Sequence, residues 1–294
     1  MFGRLNPTKP SAAHRAVLER VGAACREWRL SVKSGKWRVE GLKVQPRDES
    51  VAILAKHGVF RVGVAAEFGG CGTEPLLVVM AAERIGREGL ALCEPFVRHA
   101  EGVAVLERWG TGDQKATHLA RAVRGESVLG CVADDAGVRL TARLVGRLAT
   151  AAGCVGALAD SLEALASVIR EALTAQPAGD DRADCERFVA DTATDLEATR
   201  ALVYAAAELK GEFDRHTTSK HLEWESTALV TEAHYLAALA MNRMLHGAGQ
   251  LLIDGTALIE RLPPWHRVAL DATVLADEPA DSLQSLIANY YLFQ

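Results

Sequence analysis

The stretch "WGTGDQKATHLARAVRGES", Trp109 to Ser127, runs directly into "VLGCVADD", Val128 to Asp135, and the reading of this junction decides the fold. Thr111 with Gln114 three residues later is a capping-box pattern, and Gly125 is a stop. Ala116, Leu119, Ala120 and Val123 recur between them at helical spacing, so a helix is expected. "VLGCVADD" reads as a short strand or extended exit. From Leu140 to Ala175 helical periodicity resumes, and strand-rich composition appears nowhere afterwards. One helical unit therefore passes to another with no room for a sheet between them.

Working toward the N-terminus, Val17, Leu18, Val21, Ala24 and Trp28 predict a helix over about Ala12 to Leu30. "SGKWRVEGLKVQPRD" is a connection, and Glu49 to His57 is a short helix with Gly58 as its C-cap. "VAAEFGGCGTEPLL", Val64 to Leu77, sets three glycines ahead of a helix expected from Pro75 to Gly86. A glycine loop before a helix is one way to hold a phosphate. Here Thr73 reads as the N-cap, Glu74 as the first helical residue, and Pro75 has no N–H to give. A carboxylate at that place suits the helix dipole and repels an anion, so the glycines read as a turn.

Working toward the C-terminus, the Leu140–Ala175 helix has a small face (Gly146, Ala149, Gly153, Gly156), which signals close helix packing. "QPAGDDRAD" reads as a loop. Helices follow from Cys185 to about Phe213 and from Lys220 to His246, where "GAGQ" is read as the stop. After "LPPWHR" a last helix is expected from about Ala280 to Leu292. Three long helices and a shorter one predict an antiparallel four-helix bundle. The fold class is mostly α, with an N-terminal helical domain over 1–135 and the bundle over 136–294.

The composition agrees: 49% hydrophobic, 24% charged and 5% aromatic. A formal net charge of −5 argues against nucleic acid or an anionic membrane as the main partner. No uninterrupted apolar run approaches a membrane span, and "MFGRLNPTKPSAA" does not read as a secretory leader. The six cysteines (Cys25, Cys71, Cys93, Cys131, Cys154, Cys185) are scattered without a CxxC pair. They read as reduced and mostly buried, in a cytoplasmic protein. His216 and His221, five apart, do not make a metal pair on one helical face.

With these elements in place the chain resembles the acyl-CoA dehydrogenase family. Gly69, Gly70 and Gly72 match its GG-x-G turn. Gly110, Thr111, Gln114, Lys115, Leu119, Gly125 and Glu126 match its G-T-x-x-Q-K-x-x-x-L and G-E signature. "DLEATRALVYAAAE" and "LHGAGQ" look like its bundle helices. The resemblance is dense before Asp135 and diffuse after it. It implies oxidation of the α,β carbons of an acyl-thioester, with a glutamate taking the α-proton and FAD taking the β-hydride. It also implies a homo- or hetero-oligomer built through the bundle.

Three departures qualify what the resemblance implies. The family's middle β-domain, which shields the flavin, is missing. Its arginine and Phe-Gly pair at the FAD pyrophosphate has no counterpart: near the bundle's first turn stand Arg182 and Arg187, among Asp180, Asp181 and Asp184. Aligned on "SLQSLI", Glu278 takes the place of the catalytic base, with Pro279-Ala280 where the family has Gly-Thr; aligned on "WHR" the register shifts by two. The resemblance places Cys131 and Ala133 beside the flavin, with Asp134 and Asp135 as a carboxylate pair that could do acid–base work if buried. His246 with Gly247 and Gly249 would face a ligand at the bundle end.

Three functions are compatible with this reading. The first is a divergent subunit that desaturates an acyl-thioester beside a complete flavin-bearing partner. The second is a non-catalytic structural partner. The third is a repurposed enzyme using Glu278 or Asp134 and Asp135 for non-redox acid–base chemistry.

Overall fold

Eight helices follow one another in the computed structural model, which describes residues 10–33, 38–40, 43–45, 47–130, 135–175, 182–216, 218–253 and 256–261. They are α1 (Ala12–Lys33), α2 (Arg47–Lys56), α3 (Pro75–Gly86), α4 (Leu90–Trp109), α5 (Gly112–Val123), α6 (Ala136–Ala175), α7 (Arg182–Arg215) and α8 (Lys220–Gln250). Two small antiparallel hairpins accompany them: β1 (Arg38–Glu40) with β2 (Lys43–Gln45), and β3 (Leu252–Ile253) with β4 (Thr256–Ala257). The expected final helix, with Glu278, lies outside the described residues.

The helix α6 is the axis of the molecule. On one side α3 and α4 lie along it; on the other α7 and α8 pair with each other and rest on it. One continuous apolar core runs from Val17, Val21 and Trp28 of α1, through Val79 and Ile85 of α3, to Leu148, Val155 and Leu158 of α6 and Met241 of α8. The core is thus unbroken across residue 135. An 18-residue window of α6 reaches a mean hydropathy of 1.5 and is 67% buried within the protein, which is how the central helix of a helical core reads.

The small face of α6 explains how close the helices come. A Cβ on Gly86 of α3 would lie 2.1 Å from the carbonyl oxygen of Gly153, and one on Gly156 would lie 2.0 Å from that of Glu83. Backbone meets backbone there, which only glycine permits. This face is consumed inside the chain, as the close packing read from the sequence requires.

Local signals fix the shorter elements. The Thr111 capping box forms as expected: Thr111 Oγ1 accepts from Gln114 N–H at 3.3 Å, and Gln114 Oε1 accepts from Thr111 N–H at 2.9 Å. Gly125 leaves α5 in the left-handed region at φ 72°. In the glycine loop, Gly69 and Gly72 also have positive φ. The N–H groups of Gly69, Gly70, Cys71 and Gly72 donate to the carbonyls of Ala66, Ala65, Arg61 and Val64, so none is left for a phosphate. Glu74, not Thr73, is the N-cap residue of α3, and Pro75 is its first helical residue. The Glu74 carboxylate reaches His14 Nε2 instead, at 2.9 Å.

Two further expectations are corrected. The helix α4 was not anticipated, because Pro95 and Gly102 interrupt its pattern; yet Leu92, Cys93, Phe96, Ala100 and Val103 form one buried stripe. The "GAGQ" segment does not stop α8, which continues to Gln250. A glycine within a helix weakens it by about 1 kcal/mol without ending it, and Gly247 accommodates the Phe188 ring of α7, 2.8 Å from where a Cβ would stand. Of the two readings of "VLGCVADD", the described part, Val128 to Gly130, takes the extended exit and not the strand.

If the α3–α6 crossing holds the fold, Gly156→Val and Gly86→Val will each destabilise it by about 3 kcal/mol or more, the range of severe overpacking. Gly249→Ala, with nothing within 4 Å of a new Cβ, will be neutral or stabilising by up to about 1 kcal/mol. Thermal denaturation followed by circular dichroism measures both, and equal losses in all three variants would refute the crossing's role.

Candidate functional site

The site is built where the N-terminal helices meet the long ones. Residues spaced three, four and seven apart on four helices face a common cavity of about 340 Å³. Pro75 and Val78 come from α3; Ala100, Val103, Ala104, Glu107 and Arg108 from α4; Thr141, Val145 and Leu148 from α6; Lys210 and Asp214 from α7. Because α4 and α6 run in opposite senses here, the C-terminal end of α4 lies beside the N-terminal end of α6. The polar groups Glu107, Arg108 and Thr141 thus collect at one end, and Ala100, Val103, Val145 and Leu148 line the other. This is a polarised space, suited to a ligand with an apolar body and a polar head.

Trp109 sets that register. Its Nε1–H donates to Thr141 Oγ1 at 3.1 Å, Thr141 Oγ1 donates to the carbonyl of Gly137 at 3.0 Å, and the indole lies over Gly137. Arg108 is held between aromatic faces, its guanidinium carbon 5.5 Å from the Trp109 ring and 5.0 Å from that of Phe213. Lys210 is almost wholly buried, and its Nζ donates to both Asp214 oxygens at 2.5 and 2.6 Å. Burial holds the Lys210 ammonium below its usual pKa, while Asp214 pulls it back up. Asp214 also faces Arg108 Nη1 at 3.5 Å. The Glu107 carboxylate is engaged by the backbone N–H of Ala65 at 2.7 Å.

Two further titrating groups lie on α4. His99 is fully buried; its Nε2–H donates to the Phe60 carbonyl at 2.9 Å, and its Nδ1 accepts from Leu129 N–H at 3.4 Å. Burial lowers its pKa to about 4, against the smaller pull of the Phe60 bond. Neutral His99 therefore ties the exit segment to the 3₁₀ turn at Phe60. Glu101 sits against bare Gly146 of α6. Burial raises its pKa to about 7, with Arg98 opposing and Glu94 adding.

The residues expected from sequence are dispersed. Cys131, Ala133, Asp134 and Glu278 lie outside the described residues. Asp135 is exposed, and its Oδ1 accepts from the N–H groups of Gly137 and Val138 at 2.8 and 3.0 Å, which makes it the N-cap of α6. His246 is exposed and accepts on Nε2 from the Gln250 amide at 2.8 Å; Gly247 packs on Phe188, and Gly249 faces open space. These do not form a donor set for a flavin. Arg182 and Arg187 are paired with Glu186 and Asp184 at 2.8 and 3.5 Å, which removes the free positive charge a pyrophosphate needs. The described residues do not fit FAD bound by this chain alone. Among them no His, Cys, Asp and Glu cluster could hold a metal ion.

The functional candidates missed from sequence are Arg108, Lys210, Asp214, His99 and Glu101. The Lys210/Asp214 spacing of four on an otherwise apolar helix face was the available signal. The others depended on α4.

Residues 11–126 match the family described as acyl-CoA dehydrogenase, N-terminal domain, which takes in α1 to α5. That stretch is similar to the family's N-terminal domain, and the fold of the described residues is like that of an acyl-CoA dehydrogenase without the middle β-domain. Three solved structures illustrate the fold. Butyryl-CoA dehydrogenase from Megasphaera elsdenii is 12% identical with a TM-score of 0.75, covering 97% of this chain and 99% of that one. The ChsE4-ChsE5 complex from Mycobacterium tuberculosis gives 16%, 0.71, 98% and 99%. Dibenzothiophene monooxygenase (TdsC) from Paenibacillus sp. A11-2 gives 13%, 0.70, 94% and 97%. No curated protein sequence matches the chain significantly.

His99 and Glu101 of α4 make opposite demands on pH. The lowered His99 pKa gives stability that is present above about 6.5 and lost as pH falls toward about 4. At about 1.4 kcal/mol per pKa unit this amounts to about 3 kcal/mol. The raised Glu101 pKa gives stability that is present below about 4.5 and lost as pH rises toward about 7. Glu101→Gln will therefore leave a protein that weakens on acidification from pH 7 to 4.5, and His99→Gln one that strengthens relative to its own pH 7 value. Urea midpoints across that range measure the slopes; slopes of the same sign in both variants would overturn the assignment.

Proposed function

We propose that the protein is a divergent acyl-CoA dehydrogenase-like subunit that takes up the acyl part of an acyl-thioester in the α3/α4/α6/α7 cavity. It contributes to α,β-desaturation beside a complete, flavin-bearing partner chain. The observation that carries this reading is the polarised cavity, with apolar walls and the Arg108–Asp214–Lys210 cluster at its polar side, in a chain of this fold. The need for a partner rests on the connector: residues 124–135 alone separate α5 from α6, too few to make the missing β-domain. The flavin, FAD in this reading, is then held mainly by the partner, through a homo- or hetero-oligomeric bundle interface. The partner supplies the redox chemistry; this chain's residues bind and orient the acyl group and exclude water from it. Glu278 is the proposed proton acceptor. The division at residue 135 marks the two inherited domains, and the cytoplasm is the proposed compartment.

A second reading, the non-catalytic structural partner, is favoured by one observation: both arginines near the start of α7 are neutralised by carboxylates. The readings separate in two measurements. Expressed alone, the protein will be colourless; co-expressed with its dehydrogenase partner, it will purify in a yellow complex that oxidises an acyl-thioester. Lys210→Met in that complex will raise KM for the thioester about tenfold or more, a loss typical of a buried charged contact, with the flavin spectrum unchanged. A stable colourless assembly that binds no thioester would sink the desaturation reading in favour of the structural one.

A further inference from the structure

A second concavity, of about 690 Å³, lies between α1, α3 and α7 and shares no lining residue with the cavity. It brings together five arginines: Arg15 and Arg26 of α1, Arg84 of α3 with Arg87 just beyond its end, and Arg200 of α7. Three of these are engaged. Arg15 donates to the Pro10 carbonyl at 3.0 Å, and Arg87 faces Glu163 at 3.3 Å. Arg200 reaches Glu83 at 3.0 Å and also Glu197, while Tyr204 Oη donates to the other Glu83 oxygen at 2.8 Å. Both oxygens of the Glu83 carboxylate are thereby engaged.

Arg26 and Arg84 differ. Neither guanidinium has a hydrogen-bond or ion-pair partner among the described residues, yet the two converge on bare Gly22. A Cβ there would lie 3.5 Å from Arg26 Nη1 and 3.5 and 3.6 Å from Arg84 Nε and Nη2. Their nitrogens are therefore within about 7 Å of each other, by the geometry of that shared point. Arg84 Nε and Nη2, the two donors on one edge of its fork, both face it. Two guanidinium groups held close without a counterion are arranged for oxygens of one anion, and the fork suits phosphate. This stands out in a chain whose formal net charge is −5. Beside the pair, Leu18, Met80 and the Tyr204 ring give an apolar wall, and Glu19 is the other acidic residue of the lining.

We propose that this groove binds the diphosphate-bearing part of a nucleotide, with Arg26 and Arg84 on the phosphates and the Leu18/Met80/Tyr204 wall against the base. The free guanidinium groups converge in a concavity of ligand size rather than along a ridge, which favours a small molecule over an acidic protein surface. The same chemistry has two sources: a free nucleoside diphosphate, or the nucleotide end of coenzyme A. The site is separate from the acyl cavity. Along α7, Arg200 precedes Lys210 by ten residues, about 15 Å of helix.

The test is isothermal titration of the full-length protein with ADP, coenzyme A and inorganic pyrophosphate at low salt. ADP is expected to bind at least tenfold more tightly than pyrophosphate, and the Arg26→Ala/Arg84→Ala double variant to lose at least tenfold in ADP affinity. That variant must keep the wild-type circular dichroism and melting temperature. Arg84→Lys should recover part of the loss, since a charge without the fork remains. Lys210→Met should leave ADP binding unchanged, so failure of the acyl-cavity reading would not touch this one. Coenzyme A binding with the same arginine dependence identifies the coenzyme's nucleotide end as the source; ADP binding without coenzyme A binding identifies a free nucleotide. Pyrophosphate binding as tightly as ADP, ADP affinity unchanged in the double variant, or capture of an acidic protein with none of the three ligands would each overturn the proposal.

Discussion

Everything in this structure depends on how closely α3 can approach α6. The two helices touch through main chain at Gly86, Gly153 and Gly156, and that contact fixes the depth at which the N-terminal helices sit on the long ones. The cavity lies along the same pair of helices, so its width follows from the crossing. Close packing of small residues relies on dispersion between well-fitted surfaces rather than on large side chains, which suits a chain so rich in alanine. The cost is intolerance: a methyl group at the crossing has nowhere to go.

Much of this was legible in the sequence because the signals were local. The capping box at Thr111, the left-handed exit at Gly125, the turn at Gly69 to Gly72 and the small face of α6 each declare themselves within a few residues. The helix α4 did not, since Pro95 and Gly102 obscure a stripe that only burial makes continuous. Missing α4 meant missing the site, because five of the cavity's fourteen lining residues, Arg108 among them, and His99 and Glu101 belong to that helix. The glycines of α8 misled in the opposite direction: Gly247 records the fit of the Phe188 ring, a tertiary reason that no local rule contains. Asp135 shows the same limit, since a carboxylate before a helix serves capping as readily as chemistry.

The electrostatics of the two concavities differ in kind. In the cavity, Lys210 and Arg108 are matched by Asp214, and the burial of Lys210 makes it dependent on that carboxylate. In the arginine groove the acids hold Arg87 and Arg200 still and leave Arg26 and Arg84 unmatched. The first arrangement is a rigid, internally balanced wall. The second keeps charge in reserve on a braced frame.

The bond from Trp109 to Thr141 joins the last residue of α4 to the first turns of α6, across α5 and a connector of a dozen residues. With no domain intervening, these two helix ends are tethered neighbours, and the tether forms the polar end of the cavity. The connector itself does not set their register, since twelve residues of extended chain could reach about 40 Å; the side-chain tether and the glycine crossing do. The polar end of the chamber is thus latched by one indole–hydroxyl bond, and it is there, rather than at the clamped glycine crossing, that the wall can most easily open.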